Sequence, residues 1–164
     1  MITEHEYLID YYSEIPVIEC DLYANTGLYG AYRNGHILLE KRQSIRDKKI
    51  IVMEEIQHHK SSVGTIIDET NINNKKQENF ARNLVYDNFI TIATIIHCHN
   101  QGFVYYYEVA EYLNLPEEFI QDAVEYYRLK YGAIYKTDGY TLYFGSAIEI
   151  CNEDIGCHLY DYGC

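Results

Sequence analysis

With 164 residues, of which 48% are hydrophobic, the chain is long enough for one domain with a substantial core but too short for two full ones. Its formal net charge of −12 argues against general binding to nucleic acids or anionic membranes, because contacts with phosphate require a basic surface. The sequence shows neither an apolar run that would span a membrane nor a secretory signal, so we expect a cytoplasmic protein.

The N-terminal part of the chain predicts one helix followed by three short strands. Thr3 and Glu6 form a T-x-x-E capping box, which marks the start of the helix, and Pro16 ends it. The stretch PVIEC that follows is typical of a short strand. Asn34 and Gly35 favour a tight primed turn, so we expect the residues on either side of them to form a β-hairpin.

Helices are predicted through the middle of the chain. Ser44 indicates the start of one that runs to about Lys60. A single long helix is expected to begin near Asn74 and to continue without a break to about Gln101. A short helix follows, and Pro116 indicates the start of one more.

The C-terminal part predicts a second hairpin, because Asp138 and Gly139 favour a primed turn. We therefore expect one α+β domain over residues 1–150, with a helical part at 105–131 that resembles a helix-turn-helix. Residues 151–164 are interpreted as a C-terminal tail. The five cysteines are an odd number without a secretory signal, so reduced thiols are expected.

The stretch MEEIQHHK contains acidic residues and histidines at metal-ligand spacing. Side chains four residues apart lie on one face of a helix, so Glu54 and His58 can bind one ion, and Glu55 has the same spacing to His59. In zinc peptidases the catalytic base directly follows the first ligand. With Glu54 as first ligand, Glu55 falls at the base position, whereas the other register places Ile56 there, which cannot accept a proton. The spacing therefore favours Glu54 and His58 as ligands and Glu55 as base.

A site that keeps one coordination position open for water needs a third protein ligand. Glu78, at the start of the next predicted helix, is the candidate, because that helix can pack antiparallel to the first. Arg82, one turn after Glu78, could add positive charge to the site, although an ion pair on the face of its own helix is the simpler expectation. The spacing also leaves open a second interpretation, in which E-E-x-x-H-H is an ordinary solvated helix face.

Several stretches resemble proteins of one peptidase family. They are a GLY…I.L hairpin, a helix that ends in EE..HH, a short Ser-Val-Gly loop, the helix QENFARNLV and the later EVAEYLNLPEEFIQDAVEYYRLKYG. This order of motifs, within residues 5–150, resembles the ImmA/IrrE metallo-endopeptidases of phages and other mobile elements. The resemblance implies a zincin-like minimal metallopeptidase domain of class α+β, with helices beside a small antiparallel sheet or hairpins.

The family's usual motif is H-E-x-x-H with a downstream glutamate. Carried over to this chain, the second histidine is His58, the catalytic glutamate is Glu55 and the downstream ligand is Glu78. Glu54 stands where the first histidine is expected, which resembles a variant of phage members. The implied function is a zinc-dependent endopeptidase that cleaves a helix-turn-helix repressor in the bacterial host and so relieves repression of the mobile element.

The replacement of a neutral histidine by Glu54 changes the charge of the expected site. Two carboxylates and one histidine leave a divalent ion with a net charge of about zero, whereas two histidines and one carboxylate leave about +1. We expect a weaker or more selective hydrolase, because a less positive ion lowers the pKa of water less. The harder oxygen ligands also reduce the preference for Zn²⁺ over Mn²⁺ or Fe²⁺.

Two alternative functions are also considered. In the first, a non-catalytic protein with a degenerate peptidase fold binds the repressor without cutting it. In the second, residues 105–131 make the protein DNA-associated, but their second helix carries four acidic residues against Arg128 and would repel phosphate. The histidines of the sequence HCH, His97 and His99, are a poorer metal site, because residues two apart on a helix point in different directions.

Overall fold

The structure is a computed structural model that describes residues 15–62 and 71–152, except for the side chains of residues 61, 62 and 71–78. The predicted first helix, which begins at Thr3, and the predicted tail beyond residue 152 lie outside the described residues. Within them the chain has six helices and two three-stranded sheets, so the predicted α+β class is confirmed. None of these helices is both long and apolar enough to cross a bilayer.

The chain divides into two compact units. The first contains Met1–Asn88 together with Leu113–Leu115, and the second contains Phe89–Tyr112 together with Pro116–Cys164. The residues that the sequence predicts for the metal site all belong to the first unit.

The first unit contains a mixed three-stranded sheet. Its strands are β1 (Val17–Cys20), β2 (Gly30–Arg33) and β3 (His36–Glu40), and a short helix, α1 (Tyr23–Thr26), connects β1 to β2. The central strand β3 pairs parallel with β1 and antiparallel with β2, so β2 is an edge strand in the described part of the sheet. Asn34 and Gly35 join β2 to β3 with φ angles of 50° and 79°, which confirms the predicted primed turn.

Helix α2 (Ile45–Ser62) covers one face of this sheet and carries the predicted metal-binding stretch. Ser44 caps the helix: its Oγ accepts a hydrogen bond from the backbone N–H of Asp47 at 3.1 Å and donates one to the Asp47 carboxylate at 2.6 Å. The helix contacts the sheet through a buried apolar cluster, which consists of Ile37, Leu39, Val52 and Ile56. Burial of these side chains fixes which face of α2 points toward the sheet.

The prediction of a single long helix between Asn74 and Gln101 is wrong. The chain forms α3 (Asn71–Phe89) and then α4 (Ile92–Asn100), with a break at Thr91. Thr91 is extended, with φ −61° and ψ 161°, and its Oγ1 accepts the backbone N–H of Thr94 at 3.1 Å. The threonine hydroxyl therefore replaces a helical carbonyl as acceptor and starts a new helix.

The second unit combines helices with an antiparallel sheet. Helices α5 (Tyr106–Leu113) and α6 (Glu117–Tyr131) correspond to the two helices predicted around Pro116. The strands β4 (Ile134–Thr137), β5 (Tyr140–Phe144) and β6 (Ile148–Asn152) pair in the order β4-β5-β6. The predicted primed turn is confirmed, with φ angles of 45° at Asp138 and 78° at Gly139. The core side chains include Phe119, Ile120, Val124 and Leu142.

The end of the described chain differs from the prediction in two respects. Strand β6 continues to Asn152, so the first residues assigned to the tail belong to the sheet, where Cys151 pairs with Thr141. Cys20 and Cys98 are reduced thiols, whereas Cys151 is disulfide-bonded. The expectation of reduced thiols is therefore wrong for Cys151, since the number of cysteines says nothing about which of them lie close together.

Candidate metal site

Helix α2 places Glu54, Glu55 and His58 along one side, as their spacing predicts. These side chains are partly exposed to solvent. All three are intermediate in exposure, and the Glu54 side chain retains only 22% of its accessible surface. The neighbouring elements of the first unit partly cover the helix on this side, and both the metal site and the alternative of a helix face without metal stay predictions.

Glu55 is held at the outer edge of strand β2. Arg33 and His36 flank the two-residue turn and exchange ladder hydrogen bonds, so the preceding residue, Tyr32, directs its N–H away from β3. The backbone N–H of Tyr32 donates to the Glu55 carboxylate. The Glu55 carboxylate therefore accepts from a backbone N–H that has no partner strand on this side of β2 in the described part of the sheet.

The surroundings of Glu55 raise the pKa of its carboxyl group and so make it a weaker acid. Burial is the largest cause and raises the pKa of the Glu55 carboxyl, and the negative charge of Glu54 acts in the same direction. His58 and the Tyr32 N–H lower this pKa without cancelling the effect of burial. A carboxylate with a raised pKa is a better proton acceptor than an ordinary surface glutamate, which is the property required of a general base.

Gly30 explains how the helix approaches β2 so closely. A β-carbon at this position would lie 3.6 Å from Oε1 of Glu55, so any larger side chain would enter the space beside that carboxylate. The metal motif alone does not predict that Gly30 allows this close approach of β2 and α2. The signal that could have indicated it is a glycine inside a predicted strand, which often marks a close approach of another element.

Glu54 makes an ion pair with a second helix. Nε of Arg82 on α3 donates to Oε1 of Glu54 at 2.8 Å, and the Arg82 side chain is 45% exposed. From the sequence, we expected Arg82 to form an ion pair on the face of its own helix. The ion pair from α3 to α2 was therefore not predicted. Glu78 also lies on α3, but its side chain is outside the described part of the chain, so its role as third ligand stays a prediction.

His59, the other histidine of the motif, packs against β2. Its ring lies 4.3 Å from the ring of Tyr32, centroid to centroid, with 32° between the ring planes. Since the backbone N–H of Tyr32 also contacts Glu55, this one residue touches two consecutive turns of α2. His59 therefore helps to fix the helix on the strand.

The chemistry of the described donors suits a divalent cation in part. Glu54 supplies oxygen and His58 supplies nitrogen from one side of a helix, a mixture that Zn²⁺, Mn²⁺ and Fe²⁺ all accept. No three His, Cys, Asp or Glu side chains converge on one point among those that the structure describes, a set without Glu78. The assignment of Glu54, His58 and Glu78 as ligands therefore stays a prediction.

The other histidine pair, on α4, is not brought to one point. His97 Nε2 lies 3.2 Å from the Tyr112 hydroxyl oxygen at the surface. His99 is partly buried, and this burial lowers the pKa of its imidazole. The two side chains have different surroundings, in agreement with the expectation that residues two apart on a helix point in different directions.

Comparison of the chain with protein-family models, with curated proteins and with solved structures finds no match in any of the three. The similarity to ImmA/IrrE peptidases therefore rests on the motifs quoted above and stays a prediction.

Proposed function

We propose that the protein is a divalent-metal-dependent endopeptidase of the ImmA/IrrE type, with Glu54, His58 and Glu78 as ligands and Glu55 as general base. The observation that carries the proposal is the position of Glu55. Its carboxylate is partly buried and has a raised pKa, it is fixed by the Tyr32 N–H, and it directly follows one candidate ligand on the helix that carries the other.

The bound metal would act as a Lewis acid that polarises the scissile carbonyl and lowers the pKa of water. Glu55 takes a proton from the attacking water while the water oxygen bonds to the carbonyl carbon. The same carboxyl then gives the proton to the leaving amine nitrogen as the C–N bond breaks. The Tyr32 N–H interacts with this carboxylate and helps to hold it in place during both proton transfers.

A peptide substrate is favoured by the edge position of β2 beside Glu55. An extended peptide can add to an edge strand through main-chain hydrogen bonds, here to the backbone groups of β2 that Glu55 does not occupy, which would bring its carbonyl groups close to the carboxylate. A helix-turn-helix repressor encoded by a phage or mobile element is the proposed substrate, on the basis of the motif resemblance alone.

The proposed enzyme should be slow, because Glu54 makes the ligand set more negative than that of the usual motif. The Arg82 ion pair to Glu54 favours a second candidate function, in which the protein binds the repressor without cutting it. In that case the guanidinium serves as the cation for Glu54 and the peptidase fold is degenerate. Metal content and fragment formation distinguish the two functions.

The test is metal analysis of the purified protein and of Glu55→Gln, His58→Ala and His59→Ala, together with incubation with the repressor. We expect about one equivalent of metal in the wild type, Glu55→Gln and His59→Ala, and strong loss in His58→Ala. Repressor fragments should appear with the wild type and disappear with Glu55→Gln. Less than about one tenth of an equivalent in the wild type, after Zn²⁺ or Mn²⁺ has been supplied, would contradict the proposal.

A further inference from the structure

We infer that Arg82 sets the metal affinity of the proposed site by competing with the metal for the carboxylate of Glu54. The inference rests on the proposed function, since it assigns a regulatory role at the same site. The ion pair that carries it joins Nε of Arg82 on α3 to Oε1 of Glu54 on α2 at 2.8 Å.

The environment of this ion pair differs from that of an ordinary surface pair. The second unit contains a suitable comparison, Arg128 with Glu125, whose side chains are 45% and 49% exposed. Arg82 is equally exposed at 45%, but its partner Glu54 is only 22% exposed. Water screens the charge on Glu54 less, so the guanidinium and any second cation near this carboxylate interact more strongly.

The local charge explains why Glu54 holds a cation here. Glu55 follows it directly on the helix, so two carboxylates stand side by side and repel each other. A guanidinium on Glu54 reduces this repulsion. A divalent ion bound by Glu54 would do the same, and the two cations repel each other when they share one carboxylate.

The role of Arg82 therefore depends on the residue at position 54. A neutral histidine there would remove the carboxylate that accepts from Nε of Arg82, whereas Glu54 binds this group directly. It follows that loss of Arg82 should strengthen metal binding when Glu54 is present and have little effect when it is replaced by histidine. This coupling is the signature of action through Glu54, because residues that act independently give additive effects.

The experiment measures dissociation constants for Zn²⁺ and for Mn²⁺ by competition with a chromophoric chelator. The proteins are the wild type, Arg82→Gln, Glu54→His and the double variant, with Arg128→Gln as matched control. We expect Arg82→Gln to bind about tenfold more tightly than the wild type, and the same change to have less than about a twofold effect beside Glu54→His. Arg128→Gln should leave the affinity unchanged, and Arg82→Lys should stay close to the wild type.

The possible outcomes separate this inference from the proposed function. If the wild type binds metal and Arg82→Gln binds it equally or more weakly, the competition is disproved while the metal site stands. If neither protein nor any variant binds metal, both ideas are overturned. Tighter binding by Arg82→Gln than by the wild type, with this gain lost beside Glu54→His, would support the inference. Circular dichroism verifies folding, and Arg82→Met, which keeps the apolar stem, replaces Arg82→Gln if that variant does not fold.

Discussion

Gly30 on strand β2 and Ile51 on helix α2 are packed so closely that no side chain fits between them. A β-carbon at Gly30 would lie 2.1 Å from Cγ2 of Ile51, well inside the distance that two carbon atoms tolerate. The methyl group of Ile51 fills the place where a side chain would stand. The contact brings the helix onto the edge strand and thereby brings Glu55 within reach of the Tyr32 N–H.

Replacement of Gly30 by alanine is expected to destabilise the protein by about 1–3 kcal/mol, because the added methyl group forces the helix away from the strand. The double change Gly30→Ala with Ile51→Ala should cost less than the sum of the single changes, since it removes the clashing methyl group. Urea denaturation measures both. Gly145→Ala is the control, because a β-carbon there meets nothing within 4 Å. A Gly30→Ala variant as stable as the wild type would show that β2 and α2 do not pack in this way.

Glu55→Gln is expected to stabilise the metal-free protein at neutral pH. Burial raises the pKa of Glu55 in the folded state, so the folded protein binds more protons than the unfolded chain between the two pKa values. Stability is then lost as the pH rises from the ordinary carboxyl pKa through the raised one. Glutamine carries no charge, and its amide oxygen can still accept the Tyr32 N–H.

The measurement is thermal unfolding of wild type and Glu55→Gln in chelator, from acidic to neutral pH. The advantage of the variant should be present at neutral pH and should disappear below the ordinary pKa of a glutamate, where both states are protonated. An advantage that is constant across the pH range would have a cause other than ionisation of Glu55.

Thr91→Ala is expected to cost about 0.5–2 kcal/mol of unfolding free energy, because the backbone N–H of Thr94 loses its acceptor at the start of α4. Thr91→Ser keeps a hydroxyl at this position and should retain most of the stability. Chemical denaturation of the full chain compares the two variants. If alanine were harmless there, the helix break would not depend on the threonine side chain.

Ile37→Ala should be among the most damaging changes in the first unit, with a loss of about 2–5 kcal/mol. Ile37 is fully buried, at 0% exposure, in the cluster between the sheet and α2, so its removal leaves a cavity. Val17, its partner on strand β1, is 39% exposed, and Val17→Ala should cost far less. Equal losses in the two variants would contradict the described packing of α2 on the sheet.

Local signals account for the part of the fold that the sequence predicts correctly. The Asn34-Gly35 and Asp138-Gly139 turns need positive φ angles, which these residues adopt at low cost, so both hairpins could be predicted. The parallel pairing of β1 with β3 was not predicted, because alternation of side chains is the same in parallel and antiparallel strands. The break at Thr91 was missed because apolar residues continue across it on both sides.

At the candidate site, too, the sequence predicts the arrangement within one helix but not the contacts with other elements. The spacing on one helix indicates that Glu54 and His58 share a side with Glu55 beside them. The contacts with Tyr32 and Arg82 come from other elements, and no spacing within α2 could indicate them. They depend on how β2 and α3 pack against the helix, which is decided by tertiary structure.

The hydrogen bond from the Tyr32 N–H to Glu55 also bears on solubility. An edge strand with unpaired backbone donors can recruit a strand from another molecule, and charged groups at the edge discourage such association. Glu55 occupies one of these donors on β2 with a partly buried carboxylate. An apolar residue such as valine in its place would expose that donor and remove the charge. Self-association of such a variant would then arise from the loss of a protected sheet edge, separately from any loss of catalysis.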